Sequence, residues 1–130
     1  MELLVVWGSI LLLISLALAW LATLTMIIGI PSLKKRFPQP RNIVKAHIDF
    51  LLMSLLLYAI YLLLDDMPTP LIAATLIGTT INPAFFLVMA MDEPPGKKPG
   101  PLFSAIAALS FIATTLGIGG AAILILLQHI

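Results

Sequence analysis

Four long apolar runs, separated by only three short polar pieces, leave this chain few folds to choose from. The runs cover residues of about 3–30, 43–64, 71–91 and 102–128. Each reaches the roughly 20 residues that an α-helix needs to cross the hydrocarbon core of a bilayer. The separating pieces read PSLKKRFPQPR, DDMPTP and DEPPGKKPGP, and each carries prolines that suit a break between helices. Composition agrees: 61% of the 130 residues are hydrophobic and 10% charged, against about 45–50% and about 25% in an ordinary soluble domain. The expected fold is therefore all-α: an integral-membrane four-helix bundle, with residues 1–130 forming a single transmembrane domain whose first partner is the lipid bilayer.

The charges set the expected orientation. All seven basic residues (Lys34, Lys35, Arg36, Arg41, Lys45, Lys97, Lys98) fall in or beside the first and third connections, whereas the second has only Asp65 and Asp66. By the positive-inside rule the loops 31–42 and 92–101 are expected in the cytoplasm, with both termini outside (N-out/C-out), in the inner (cytoplasmic) membrane. The first charge is Glu2 and the apolar run continues to Ile30. That pattern reads as a retained helix, because a cleaved signal peptide opens on a positive segment and has a short apolar core. A net charge of +1 gives no basic surface for nucleic acid. The absence of cysteine removes disulfides, thiolate metal sites, iron–sulfur clusters and a cysteine nucleophile from consideration.

Polar residues are distributed unevenly around the helices. At about 100° per residue, Ser54, Tyr58 and Tyr61 lie within about 40° of His47 on the second span. Such a stripe is expected to face protein or a cavity, because lipid cannot satisfy it. Asp49 lies off that stripe, four residues after Lys45, and an i,i+4 ion pair at headgroup level is expected. On the third span Thr75, Thr79, Asn82, Phe86 and Met89 share one side, and Pro83 is expected to kink or locally unwind the helix. Ser110, Ala113, Thr114, Gly117 and Ala121 give the fourth span a seam of small residues suited to close helix packing. Counting along antiparallel helices at about 1.5 Å per residue puts Phe86 level with His47 and Asn82 about a turn deeper. A pocket lined by His47, Ser54, Asn82 and Phe86 is expected in the cytoplasmic half.

His47 has three readings. It sits at the interface bonded to water, lipid phosphate or a carbonyl; or its neutral imidazole binds a metal; or it acts as a base. A multi-histidine zinc site is disfavoured, since His129 belongs to the opposite membrane face. Haem fits better, because one axial histidine suffices and apolar surroundings suit the porphyrin. A transporter is disfavoured, because inverted repeats and buried charge pairs are not evident.

The segments KAHIDFLLMSLLL and TTINPAFFLVMA resemble the second- and third-helix segments of the styrene oxide isomerases and the related hydroxylaminobenzene mutases. The resemblance covers roughly residues 43–91, together with the length, the four spans and the spacing of the two segments. It implies that His47 is the axial ligand of a haem b held between the subunits of a homo-oligomer, a trimer. Ferric iron would then act as a Lewis acid on a small apolar epoxide-type substrate, giving an aldehyde. Asn82 matches the family's third-helix asparagine and is the candidate catalytic residue, with Ser54, Tyr58 and Phe86 lining the pocket. Two positions depart from the pattern. Met53 stands where the family has a catalytic asparagine, and Phe86 where it has a catalytic tyrosine. These departures favour an alternative, a non-catalytic small membrane protein that binds haem or serves as an accessory subunit.

Overall fold

The computed structural model describes residues 1–92 and 100–130. Lys97 and Lys98, on which the expected sidedness of the third connection rests, lie outside the described residues. The chain runs α1 (Glu2–Ala22), a π-helical continuation (Thr23–Ile28), a short α2 (Pro31–Arg36), α3 (Arg41–Leu63), α4 (Thr69–Met91) and α5 (Pro101–His129). No strand occurs among the described residues. Four of these helical segments, Glu2–Ile28, Arg41–Leu63, Thr69–Met91 and Pro101–His129, are long and apolar enough to cross a membrane. Their ends agree with the sequence expectation to within two residues.

The first span ends where its residues demand it. After the π-turn, Gly29 adopts φ 77°, the left-handed conformation that terminates a helix and that glycine reaches without a Cβ penalty. The PSLKKRFPQPR connection is not irregular throughout. Pro31 occupies the first turn of α2, where its missing N–H costs nothing. Pro83 does not unwind α4, which stays α-helical from Thr69 to Met91. Thr75, Thr79 and Thr80 each return a hydroxyl to a carbonyl one turn back, as do Thr23 and Thr25 at the end of the first span. Hydroxyls within an apolar span, where water is absent, are satisfied in this way by their own helix.

The four long helices pack mainly in chain order: α1 on α3, α3 on α4, and α4 on α5. The α1–α3 contact has the repeat of an antiparallel coiled coil. Leu4, Gly8, Leu11, Ser15 and Leu18 are buried on α1, opposite Ile43, Ala46, Phe50, Met53, Leu57 and Ile60 on α3. The alternating three- and four-residue steps keep one seam in register, and Gly8 and Ser15 supply the small positions that let the backbones close. The α4–α5 contact is tighter still. A Cβ on Gly78 would stand 2.6 Å from Thr114 Cα, and one on Gly117 would stand 2.6 Å from Thr75 Cα. The small-residue seam of the last span is thus filled by α4 of the same chain. Leu64 and Met67 bury the connection between α3 and α4, and Gln128 of α5 donates to Asp65 in that connection at 2.9 Å.

Candidate functional site

The polar stripe of α3 is real, but it meets α1 rather than α4. Tyr61 donates to Glu2 at 3.1 Å, the Tyr58 and Ser9 hydroxyls lie 2.8 Å apart, and Ser54 donates to the Gly8 carbonyl at 2.8 Å. His47 continues the ladder at Ser15. The Ser15 hydroxyl donates to the His47 carbonyl at 2.9 Å, and His47 Nδ1 lies 2.8 Å from the Ser15 carbonyl oxygen. The Ser15 hydroxyl oxygen is also 2.9 Å from Nδ1; in the tautomer with the proton on Nδ1, the ring donates to the Ser15 carbonyl, which only accepts. In the neutral ring that leaves the Nε2 lone pair unused. Ser15 is fully buried and His47 half-buried.

The expected pocket of His47, Ser54, Asn82 and Phe86 does not assemble. The depth count was sound, since α3 and α4 pair at nearly the expected level; the direction was not. Asn82 donates to Asp49 at 3.4 Å, and Lys45 stands 6.0 Å from the centroid of the Phe86 ring. Both contacts lie on the flank of α3 turned away from the His47 stripe. Ser54 is wholly buried against α1, and the Tyr58 hydroxyl is engaged by Ser9. Lys45 and Asp49 form no ion pair: the carboxylate takes an amide from α4 and the ammonium takes an aromatic face. Met53, at the position where the resemblance expects an asparagine, is buried in the apolar core.

Two of the contacts that the sequence did not disclose fix how α1 is placed. Ser15 is the partner of His47, and Thr80 accepts from the Trp7 indole at 2.8 Å, tying α1 directly to α4. A signal for Ser15 was present: Gly8 and Ser15 are seven residues apart in a run of large apolar residues, one heptad on a seam. His129 caps its own helix through the Ile125 carbonyl at 2.9 Å, near the C-terminal end of α3 and so at the far end of the molecule from His47. Among the described residues no three His, Asp, Glu or Cys side chains come together as a metal site. A metal at His47 would therefore have to bring most of its own ligands, as haem does. No protein-family model matches this chain, and neither does any curated protein or solved structure.

Proposed function

We propose that the protein is a haem-binding membrane protein of the isomerase-like kind, with His47 as the axial ligand of a haem b. The observation that carries this reading is the bond from His47 Nδ1 to the Ser15 carbonyl. A ligating histidine typically donates its second nitrogen to a carbonyl or carboxylate, which fixes the ring and raises its basicity. Here that orienting contact comes from the main chain of a neighbouring helix and leaves Nε2 available. Ile48 and Leu52 on α3 and Leu16, next to Ser15 on α1, are exposed and apolar, and apolar surroundings suit a porphyrin. Neither of the two grooves at this end of the chain is lined by His47, and a second copy would complete the enclosure, in keeping with a homo-oligomer such as a trimer. Haem held by His47 would supply a Lewis acid for a small apolar epoxide-type substrate. The chain's own part would be to hold the imidazole in place through Ser15 and to surround it with aliphatic side chains.

A second reading is favoured by a separate observation. Ser54 and Tyr58 are committed to α1, Asn82 to Asp49, and Met53 to the core. None of these four is left free beside His47 to handle a substrate, which suits a non-catalytic haem-binding or accessory subunit. One experiment separates the readings. Protein expressed with ample haem and purified in detergent should show a Soret band. His47→Ala should abolish it, whereas Ser15→Ala should keep it, because the orienting acceptor is a backbone carbonyl. A colourless wild-type protein removes both haem readings. A coloured protein that leaves styrene oxide unchanged removes the isomerase and keeps the accessory subunit.

A further inference from the structure

The end of the first span and the start of α3 enclose two adjoining grooves that His47 does not line. One, of about 350 Å³, is walled by Thr25, Met26, Lys34, Phe37, Pro38 and Pro40. The other, of about 430 Å³, shares Met26, Pro38 and Pro40 and adds Arg41, Asn42 and Lys45 to its walls. Both volumes fall within the roughly 300–1,000 Å³ of small-molecule sites. One wall is anchored to α4. Gln39, between the two prolines, has its backbone N–H on the Ala90 carbonyl at 3.1 Å and its side-chain amide on the Asp92 carbonyl at 3.2 Å. This holds the connection against the end of α4.

The charge of the grooves is of one sign. Lys34, Arg41 and Lys45 line them; Lys45 also stands over the Phe86 ring, which leaves its charge uncompensated, and none of the three is ion-paired with a carboxylate among the described residues. The apolar side is continuous with the lipid-facing π-turn, where Met26, Ile27 and Ile28 are exposed. A cationic cleft open on one side to the headgroup layer and on the other to acyl chains matches an amphiphile with an anionic head. Clusters of basic residues at a membrane surface attract anionic lipid by about 1 kcal/mol each, or about five-fold in binding per residue. We propose that these grooves hold the headgroup of an anionic phospholipid. Its phosphate lies against Lys34, Arg41 and Lys45, and the start of its acyl chains runs along Met26 and Phe37. The site is independent of haem.

The test uses the full chain, purified and equilibrated in mixed micelles with equimolar phosphatidylglycerol and phosphatidylcholine, the retained lipid being counted by mass spectrometry. The wild type should retain phosphatidylglycerol over phosphatidylcholine by roughly five-fold or more. Arg41→Gln with Lys45→Gln should bring the ratio close to parity with helicity unchanged. Lys35→Gln with Arg36→Gln, equally basic neighbours outside the groove walls, should preserve it. Parity in the wild type overturns the proposal without recourse to any variant. Equal loss in the Lys35 and Arg36 variant overturns it in favour of diffuse surface charge. Full displacement of the lipid by millimolar inorganic phosphate overturns it in favour of a free-phosphate site.

Discussion

Ser15 and Ser54 show how single hydroxyls hold two membrane helices together. Lipid tails are as apolar as leucine, so helices in a bilayer gain little from hiding apolar surface and associate through close packing and hydrogen bonds. Ser54 is completely buried and donates across the interface to a backbone oxygen. Its replacement by alanine should cost about 0.6 kcal/mol, the mean for such bonds, and not more than about 1.7 kcal/mol, read as a shift in the midpoint of unfolding in mixed micelles. Ser9→Ala and Tyr58→Phe remove the two ends of one contact. Their effects should therefore be less than additive, and strictly additive effects would show that the 2.8 Å approach carries no energy. His47→Ala removes the ring but leaves the Ser15 hydroxyl on the main-chain carbonyl of residue 47. The helix pair should then survive while any ligand held by the ring is lost.

At the scale of the helices, what was legible in the sequence was length and polarity. A run of apolar residues states its own span, and a proline-rich polar piece states a break, because both depend only on local composition. The face of each helix was legible too, as the shared side of His47, Ser54, Tyr58 and Tyr61 demonstrates. Which neighbour that face would meet was not, because two of its acceptors are the backbone carbonyls of Gly8 and Ser15, and any helix offers those. The neighbour is chosen by the small residues that admit close approach, a feature that is silent unless a heptad spacing is sought. The α4–α5 pair makes the same point through sterics. Gly78 and Gly117 face threonine backbone that cannot move aside as a side-chain tip could. Gly117→Ala should force the helices apart at a cost of about 1–3 kcal/mol, and Gly78→Ala likewise. Gly119→Ala, with nothing within 4 Å of the new carbon, should be neutral or mildly stabilising. Equal tolerance of all three substitutions in thermal unfolding would falsify the packing described for this pair.

For the molecule as a whole, the serial packing of the helices determines what remains to be covered. α3 and α4 each have long partners on two sides, whereas α5 rests chiefly on α4 and turns Leu109, Leu116 and Ile123 outward. Lipid satisfies such a face, yet the same surface also carries Ala108, Thr115, Gly119 and Ala122 at helical spacing, and small residues favour helix contact in a bilayer. If copies associate, this outward surface is available and the inward seam at Gly117 is not. Gly119→Leu should therefore lower the detergent-corrected mass of the purified protein toward that of one chain, without lowering its helicity. Gly117→Leu should instead disrupt the chain itself. A wild type that is already monomeric in mild detergent excludes this association and, with it, enclosure of a haem between copies. Orientation is tested on the same preparation before extraction. Cysteines introduced at Ser32 and Thr69, both exposed and at opposite ends of the spans, should react with an impermeant maleimide from opposite sides of the membrane. Thr69 should be the one labelled in intact cells, because Lys34, Lys35 and Arg36 accompany Ser32. The reverse result would place the basic grooves on the outer surface and invert the sidedness of every contact at that end of the molecule, His47 included.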